Sequence, residues 1–478
     1  MDIEEFRRRG HEMVDFICDY HRSVEQLPVR SQVEPGYLAE ILPTEAPQSG
    51  ELFSAILADV ASKIMPGMTH WQSPSFFAYY PANHSFPAIL GELLCAGLNV
   101  VGFSWIGSPA ATELETIVLD WLAKLLGLPG GFLSVTADGR PGKGGGVIQG
   151  TASEAALVCL LAARARAMVR RPADDQTRLV AYTSDQAHSA IKKACMVAGV
   201  VHCRLLPTIE QDAFALQPAV LQAAIEADLA AGLLPCFYCA TVGSTSSCAV
   251  DPLRHLFGTA RAHNIWCHVD AAYAGSAAVC PELRPSFDGL ELADSFSMNP
   301  HKWLLVNSDC SALWVQDAEP LKMALSLTPV FLHAKGNTLD FKDWQVPLGR
   351  RFRALKVWFV LRSYGAAGLQ AYIRHHVRLA GWFAARVRAD ERFELAAPPR
   401  FGLVCFRLKG ASREQNAALL ETLNVSGKLF MVHTELAGQY TLRFALGSTN
   451  VQQRHVEAAW QEISDCSARI LGGEVHGT

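Results

Sequence analysis

Charged side chains are scarce in this sequence of 478 residues, and neither sign of charge is in clear excess. Asp, Glu, Lys and Arg make up 18% of the residues, whereas about 25% is typical of soluble domains. The 42 basic and 46 acidic residues give a formal net charge of −4, so no basic surplus points to nucleic acid or to an anionic membrane. Hydrophobic residues make up 50%. The chain can therefore fill a large core, and the shortage of charge indicates that a partner subunit covers part of its surface.

Segments for export, membrane insertion or disulfide formation are also missing. The first residues, MDIEEFRRRGHEMVDFICDY, lack the apolar core of a signal peptide, and no apolar run reaches the roughly 18 residues of a membrane span. We therefore expect a cytoplasmic protein. The 13 cysteines are odd in number and scattered, which argues against a disulfide framework. Cys236 and Cys239 form a C-x-x-C pair, which we interpret as small apolar side chains of a buried strand rather than as a redox or zinc pair.

Three regions of different character follow one another along the chain. Residues 1–75 predict an amphipathic helix, with Phe6, Met13 and Val14 on one face, followed by an arm punctuated by prolines. Residues 76–365 alternate helical segments with short apolar strands, a rhythm that indicates an α/β domain with a mainly parallel sheet. Residues 366–478 predict antiparallel strands and a closing helix, which is a smaller α+β domain. The arm cannot fold alone, so we expect it to wrap a larger body or a partner.

A glycine-rich turn is the first feature that carries chemistry. Gly144, Gly145, Gly146 and Gly150 lead into Thr151-Ala152-Ser153 and then into a helical segment. Backbone N–H groups at a helix N-terminus, with hydroxyl groups beside them, can bind an anion. Glycine, serine and threonine are also ordinary capping residues, so the turn alone does not establish a site.

Three further polar residues follow predicted strands. Lys302 lies between His301 and Trp303, where partial desolvation would lower the pKa of the amine and favour an imine-forming lysine. Asp270 ends the apolar strand IWCHVD, at the usual ligand edge of a parallel sheet. His188 follows the strand TRLVAYTS and could stack on a flat ring or move a proton. Each has a structural alternative, namely a surface lysine, a helix cap and a hydrogen-bonding histidine.

Taken together, these features match the needs of one cofactor. Pyridoxal phosphate (PLP) requires a phosphate cup, a face to stack on its ring, an acid for its pyridine nitrogen and an imine-forming lysine. The turn at Thr151, His188, Asp270 and Lys302 supply this set in that order along the chain.

Long motifs then identify a family. The segments HWQSPSFFAYYPAN, GFSWIGSPAATELE, GGGVIQGTASEA, SDQAHSA, HVDAAYAGSA, SMNPHKW and GRRFRALKVWFVLRSYG resemble the PLP-dependent aromatic-L-amino-acid decarboxylases, most closely those of plants. The likeness covers nearly the whole chain. It implies the PLP-dependent transferase fold type I and an obligate homodimer with the active site at the subunit interface.

The resemblance also implies roles for individual residues. Lys302 becomes the lysine that binds PLP, Asp270 the partner of the pyridine nitrogen and His188 the residue stacked on the ring. The implied phosphate contacts are Thr151, Ala152, Ser153, Asn299 and His301, with Thr245 near the cofactor. The implied wall of the substrate pocket is formed by Trp71, Tyr79, Tyr80, Pro81, Phe103, Trp303 and Gly349. This chain has Ala82 where other members carry a hydroxyl residue, so contacts specific to that hydroxyl are not expected.

Phe341 bears on the product. In amine-forming members of the family, the carbanion left by decarboxylation is protonated by a tyrosine on a mobile loop, which we assign to a D-Y-x-x-W-Q context. This chain reads Asp340-Phe341-Lys342-Asp343-Trp344-Gln345, and phenylalanine has no O–H group. The carbanion would then live long enough for molecular oxygen to intercept it, as in plant aromatic acetaldehyde synthases. The segment Leu327–Thr338, which contains Gly336 and Asn337, predicts a mobile lid.

Two enzymatic hypotheses and one non-enzymatic hypothesis therefore remain open. The first is an aromatic acetaldehyde synthase, for which Phe341→Tyr should shift the product toward amine. The second is an amine-forming decarboxylase in which His188 or water supplies the proton. The third, a catalytically silent scaffold, is disfavoured by the intact Lys302, Asp270 and His188. The aromatic wall favours an aromatic substrate, and Gly349 loosely favours phenylalanine, tryptophan or dopa over tyrosine.

Overall fold

The computed structural model describes residues 1–327 and 339–472. The segments 328–338 and 473–478 lie outside the described residues. The lid predicted over Leu327–Thr338 falls in the first of these segments, apart from Leu327.

The N-terminal region contains three helices, α1 (Ile3–Ser23), α2 (Tyr37–Ile41) and α3 (Phe53–Asp59). Helix α1 begins after Asp2, whose Oδ1 accepts a hydrogen bond from the Glu5 N–H at 2.8 Å, as expected of an N-cap. No residue of α1 is buried within this chain, and the side chain of Phe6 is 62% exposed. The apolar face of α1 is therefore available to another surface. The boundary at residue 75 stays a prediction.

A seven-stranded sheet forms the middle of the molecule. Its strands are β1 (Gly145–Gln149), β2 (Leu179–Ser184), β3 (His202–Leu206), β4 (Leu234–Thr241), β5 (Trp266–Asp270), β6 (Ser295–Met298) and β7 (Ser311–Val315). The strand order is β1-β7-β6-β5-β4-β2-β3. Only β7 is antiparallel to its neighbours within the part of the chain that the structure describes. The carboxyl ends of the other six strands therefore meet at one edge of the sheet.

Helices cover both faces of this sheet, because its strands are apolar on both faces. Along β2, Val180 and Tyr182 belong to one hydrophobic cluster, whereas Leu179 and Ala181 belong to another on the opposite face. The helices of this region are α4 (Phe86–Leu98), α5 (Pro109–Leu126), α6 (Ala152–Met168), α7 (Ala190–Ala198), α8 (Pro218–Ala230), α9 (Leu253–Ala262), α10 (Pro300–Trp303) and α11 (Glu319–Leu325).

The C-terminal region builds a second, smaller sheet. Helix α12 (Ala354–Ala389) leads into it and is broken at Gly365, whose φ of 60° suits glycine. The strands β8 (Phe393–Leu395), β9 (Leu403–Leu408), β10 (Val432–Leu436) and β11 (Gln439–Ala445) are antiparallel in the order β10-β11-β9-β8. Helices α13 (Arg413–Val425) and α14 (Gln453–Leu471) complete the layer.

The observed architecture confirms the predicted fold class, a mainly parallel α/β sheet followed by a small α+β unit. The limits 76–365 and 366–478 stay predictions. None of the helices in the described residues is long and apolar enough to cross a membrane. Cys236 and Cys239 lie buried in β4 as free thiols, 2% and 0% exposed, in keeping with their interpretation as apolar strand residues.

Candidate active site

A cavity of about 230 Å³ opens at the carboxyl edge of the large sheet. All of the predicted cofactor residues except His301 line this cavity, together with Tyr80 from the predicted substrate wall. The lining residues are Tyr80, Thr151, Ala152, Ser153, His188, Ala190, Thr241, Gly243, Thr245, Asp270, Ala272, Tyr273, Asn299 and Lys302. Because β1, β2, β4, β5 and β6 end at this edge, residues far apart in the sequence meet here.

Lys302 is held by the short helix α10, which begins after β6. Asn299 is the N-cap of this helix, and its carbonyl accepts a hydrogen bond from the Lys302 N–H at 2.9 Å. The amine Nζ lies 5.8 Å from the centre of the Tyr80 ring. Burial lowers the pKa of Lys302, and Arg443 lowers it further, while the charge of Asp270 opposes this shift. The neutral amine that forms an imine is therefore more accessible than for an exposed lysine.

Asp270 is the last residue of β5 and is 7% exposed. Its Oδ1 accepts a hydrogen bond from the Ala272 N–H at 3.0 Å. The other oxygen, Oδ2, has no hydrogen bond to any described residue. A buried carboxylate facing a cavity in this way needs a cationic or N–H partner, such as a protonated ring nitrogen.

His188 lies in the turn after β2. Its Nδ1 accepts a hydrogen bond from the Ala190 N–H at 3.1 Å, so the neutral ring carries its proton on Nε2. Burial lowers the pKa of His188, and the charge of Lys302 lowers it further, whereas Asp270 raises it. A neutral imidazole at the cavity wall can stack on a flat ring and still present one N–H donor.

The start of α6 also lines the cavity. Thr151 is the N-cap, and its Oγ1 accepts a hydrogen bond from the Glu154 N–H at 3.2 Å. Two buried polar atoms of the lining, Asn299 Oδ1 and Thr241 Oγ1, have no hydrogen-bond partner among the described residues. A helix N-terminus with hydroxyl groups beside it suits a phosphate group, and the unpaired Asn299 Oδ1 can accept a hydrogen bond from a hydroxyl substituent of the ring. The residues present therefore fit PLP.

Stacked aromatic rings form one wall of the cavity. The rings of Tyr80 and Tyr273 are stacked with their centres 3.8 Å apart and their planes 13° from parallel. Trp303 stacks behind Tyr273 at 4.8 Å and is itself 0% exposed. Tyr80 donates a hydrogen bond from its hydroxyl to the Ser244 carbonyl at 2.7 Å. Trp303 therefore supports the wall from behind rather than lining the cavity.

Several predicted wall residues do not reach the cavity of this chain. Trp71 and Tyr79 stack on each other at 5.4 Å and are 37% and 48% exposed. Pro81 is buried, Phe103 is half-buried, and Gly349 is exposed. These residues are assigned to the wall from motifs that lie on loops. The direction in which a loop side chain points depends on tertiary packing, which the motifs do not specify.

His301 and Phe341 also lie away from the cavity lining. The Nδ1 of His301 is within 2.6 Å of the Cys310 carbonyl oxygen, and burial lowers the pKa of His301 to about 4. Phe341 is 1% exposed, and its ring lies 4.6 Å from the Arg350 guanidinium and 6.0 Å from the ring of Trp344. Phe341 is not among the residues that line this cavity, and its predicted role in deciding the product stays a prediction.

Arg443 is a residue that the sequence reasoning missed. It projects from β11, is 3% exposed and lies with its guanidinium carbon 5.1 Å from the centre of the Tyr80 ring. Its Nε and Nη2 have no hydrogen-bond partner among the described residues. The available signal was a charged residue inside the otherwise apolar run of YTLRFAL. An unpaired buried cation next to Tyr80 can attract the carboxylate of an amino acid.

Comparisons with known proteins agree with this geometry. Residues 35–409 match the pyridoxal-dependent decarboxylase conserved domain. The chain is 53% identical to phenylacetaldehyde synthase of Arabidopsis thaliana, over 98% of this chain and 97% of that protein. It is 52% identical to tyrosine decarboxylase 2 of Narcissus pseudonarcissus, over 99% of this chain and 96% of that protein.

Solved structures give the same result. A crystal structure of Oryza sativa TDC with PLP and tryptamine superimposes with a TM-score of 0.95 at 44% identity, over 98% of this chain and 99% of that one. A crystal structure of Rhodiola rosea 4-hydroxyphenylacetaldehyde synthase gives a TM-score of 0.93 at 43% identity, with the same coverage.

Proposed function

The chain belongs to the plant aromatic-amino-acid branch of the pyridoxal-dependent decarboxylase family, and we propose that it converts an aromatic L-amino acid to the corresponding aldehyde. The overall reaction consumes one molecule each of amino acid, oxygen and water. It releases one each of aldehyde, carbon dioxide, ammonia and hydrogen peroxide. The alternative is an amine-forming decarboxylase with the same substrates.

The enzyme binds PLP, which supplies an electron sink for the carbanion left when carbon dioxide departs. Under this proposal Lys302 binds the cofactor through its amine, and Asp270 holds a proton on the ring nitrogen through its free Oδ2. His188 stacks on the ring and fixes its plane. The N-terminus of α6 at Thr151–Ser153, together with Asn299, holds the phosphate.

The supply of a proton to the carbanion decides the product. The stretch from Leu327 to Gln345 contains no tyrosine, so no residue of that stretch can act as the tyrosine donor of amine-forming relatives. This observation carries the aldehyde proposal, and it does not depend on the buried Phe341. In the cavity, burial raises the pKa of Tyr80 well above its ordinary value, and its hydroxyl is engaged with Ser244. Tyr80 is therefore a poor acid.

One observation favours the alternative. His188 carries its proton on Nε2 at the cavity wall, and a lowered pKa makes the protonated imidazole a stronger acid. The chain is 53% identical to a phenylacetaldehyde synthase and 52% identical to a tyrosine decarboxylase, so sequence identity does not favour either product. If His188 protonates the carbanion faster than oxygen reacts, the product is the amine.

The cavity suits a substrate with an aromatic side chain. The stacked rings of Tyr80 and Tyr273 offer a flat apolar surface, and offset stacking on such a surface contributes about 0.5–1.5 kcal/mol beyond area burial. Arg443 lies on the Tyr80 side of this wall and can attract the substrate carboxylate. Trp71, Phe103 and Gly349 do not line the cavity of a single chain. We propose them as substrate contacts in the dimer, where loops of the second subunit would complete the substrate pocket.

We further propose that the enzyme is a homodimer. Apolar side chains are exposed along one face of α4, at Leu90, Leu93, Leu94 and Leu98, with exposures from 42% to 56%. Helix α1 likewise exposes Ile3 and Phe6. A monomer rarely leaves so much apolar surface in water. Light scattering after gel filtration should give twice the 52.0 kDa chain mass, and a monomeric mass would contradict the dimer.

A product assay tests the main proposal. The purified enzyme is incubated with phenylalanine, tyrosine, tryptophan and dopa, and aldehyde, peroxide and amine are measured in parallel. Aldehyde and peroxide without amine are expected, and amine without peroxide would overturn the proposal. Lys302→Ala should abolish all products and the visible absorbance of bound PLP.

Two tyrosine substitutions sharpen this test. Phe331 and Phe341 are the only phenylalanines between Leu327 and Gln345. Phe341→Tyr places a hydroxyl in a buried cluster beside Arg350, so it should leave the product as aldehyde. Phe331→Tyr restores a tyrosine elsewhere in the stretch and should raise the share of amine. If Phe341→Tyr alone raised the share of amine, the placement of Phe341 away from the chemistry would be wrong.

A further inference from the structure

A column of four rings runs from the cavity wall into the core of the protein. Tyr80 and Tyr273 line the cavity and stack on each other. The centre of the Trp303 ring lies 4.8 Å from that of Tyr273, and the centre of the His376 ring lies 6.2 Å from that of Trp303. Both Trp303 and His376 are 0% exposed. His376 is not among the residues that line the cavity, so it has no direct part in the proposed reaction.

One hydrogen bond ties the inner end of this column to helix α12. The indole Nε1 of Trp303 donates to Nδ1 of His376 at 3.0 Å. An indole N–H can only donate, so Nδ1 is the accepting nitrogen and the neutral imidazole carries its proton on Nε2. Burial, reinforced by the neighbouring His375, lowers the pKa of His376 to about 3. The imidazole therefore stays neutral, and the acceptor stays available, at any pH near neutrality.

The imidazole of His376 is itself held in place. Tyr372, one helical turn earlier on α12, packs edge-on against it with the ring centres 4.4 Å apart. The Tyr372 hydroxyl in turn donates to Asn83 Oδ1 at 2.8 Å and to the Gly447 carbonyl at 3.0 Å. The acceptor that meets Trp303 is therefore fixed both by its helix and by this tyrosine.

The orientation of Tyr273 depends on the rings packed against it. Its hydroxyl has no hydrogen-bond partner among the described residues, and its ring lies between those of Tyr80 and Trp303. A shift of the indole would therefore allow Tyr273 to shift and would change the flat face that the two tyrosines offer. Lys302 depends less on this contact, because its own N–H donates to the Asn299 carbonyl at 2.9 Å.

We propose that His376 is a positioning residue that, by accepting the Trp303 N–H, fixes the aromatic wall against which the substrate side chain packs. This inference deepens the proposed function and rests on it only in requiring a substrate with an aromatic side chain. Without the acceptor, the Trp303 N–H is buried and unpaired, a state costly enough to displace the indole. The substrate then loses a stacking surface rather than a reacting group, so binding weakens more than the chemical step.

A matched pair of substitutions isolates the acceptor. His376→Asn can place its amide oxygen near the position of Nδ1, whereas His376→Leu has a similar branched shape and no acceptor. Carbon dioxide release by the PLP-loaded enzyme gives KM and kcat for whichever of phenylalanine, tyrosine, tryptophan and dopa reacts fastest. For His376→Leu we expect KM to rise about tenfold, the size of a strong stacking contact, and kcat to stay within about threefold. His376→Asn should recover most of the loss.

A second measurement does not require turnover. Closely stacked aromatic rings give strong near-ultraviolet circular dichroism, and this signal should fall in His376→Leu and be retained in His376→Asn. His375→Leu is the control, because His375 lies on the same helix, is half-buried and has its Nε2 3.0 Å from the Val451 carbonyl oxygen. It should leave KM and the spectrum unchanged. If no aromatic amino acid were decarboxylated, the proposed function would fail while the spectra still tested the role of His376.

Trp303→Phe removes the indole N–H and leaves His376 in place, so it tests the same contact where His376→Leu does not fold. It should raise KM and weaken the near-ultraviolet signal. Adding His376→Leu to it should raise KM no further, because the two side chains act through one hydrogen bond. An unchanged KM in either single variant, an unchanged spectrum in His376→Leu, or a further rise of the same size in the double variant would overturn the proposal.

Discussion

Replacing Asn83 by alanine should weaken both the fold and the catalytic rate, because this side chain ties three parts of the chain together. Asn83 is 2% exposed. Its Nδ2 donates to the Gly447 carbonyl at 2.7 Å, and its Oδ1 accepts from the Leu305 N–H at 3.1 Å and the Tyr372 hydroxyl at 2.8 Å. Its own N–H donates to the His301 carbonyl at 2.7 Å. His301 and Leu305 lie on either side of Lys302 in the sequence, so Asn83 holds the backbone on both sides of this lysine.

The cost follows from counting which groups lose their partners. The Tyr372 hydroxyl keeps a second acceptor, the Gly447 carbonyl at 3.0 Å, so neither of these groups is left unpaired. Of the three side-chain hydrogen bonds that are lost, those to the Gly447 carbonyl and the Tyr372 hydroxyl cost about 1 kcal/mol each. The Leu305 N–H is buried and loses its only partner among the described residues, which costs about 1–3 kcal/mol more. The free energy of unfolding should therefore fall by about 3–5 kcal/mol.

A matched control separates stability from positioning. Asn424 is also buried, and its side chain makes two hydrogen bonds to the Met431 backbone, at 3.1 and 3.0 Å, within the C-terminal region. Asn424→Ala should lower the urea midpoint in the same way but leave kcat unchanged where the protein is folded. Asn83→Ala should lower kcat about tenfold as well, since it loosens the backbone beside Lys302. Equal kcat values for the two variants would refute the reasoning.

Three further predictions concern charge, packing and acid stability. Asp270→Asn keeps the backbone hydrogen bond to Ala272 but removes the charge that, in the proposed function, holds a proton on the PLP ring nitrogen, so kcat should fall at least about 10²-fold in a steady-state assay. Gly447→Ala would bring a methyl group 2.3 Å from a proline ring carbon and should cost about 1–3 kcal/mol in urea unfolding. Gly381→Ala, which meets nothing within 4 Å, should be neutral or stabilise by up to about 1 kcal/mol. Burial lowers the pKa of His268 from 6.5 to about 4, so its contribution of roughly 3 kcal/mol is present above pH 6.5 and is lost as the pH falls toward 4. His268→Gln should flatten this acid branch of a denaturation profile.

The sequence predicts the cofactor end of the cavity well, for a physical reason. Asp270, Asn299 and His188 each follow an apolar strand, and parallel strands bring their carboxyl ends to one edge whatever the register. A residue placed directly after such a strand therefore reaches the cavity with little help from distant packing. The same logic places the start of α6, because β1 runs in the direction of β4, β5 and β6.

The substrate end of the cavity could not be predicted in the same way. Trp71 and Tyr79 lie on loops, and their rings stack on each other, while Tyr79 also packs edge-on against Phe430 just before β10. Phe341 is an example of what a motif leaves open. The motif shows that a phenylalanine is present, but not that Arg350 and Trp344 pack against its ring. Arg443 comes to Tyr80 from the second sheet, and no local pattern fixes how the two sheets meet.

The most direct test of the proposed function measures oxygen uptake and carbon dioxide release together in one reaction. With phenylalanine as substrate and the purified, PLP-loaded enzyme, we expect equimolar oxygen consumption and carbon dioxide release, with matching amounts of aldehyde and peroxide. Carbon dioxide released without oxygen uptake, together with the amine, would contradict the proposal that the carbanion goes unprotonated.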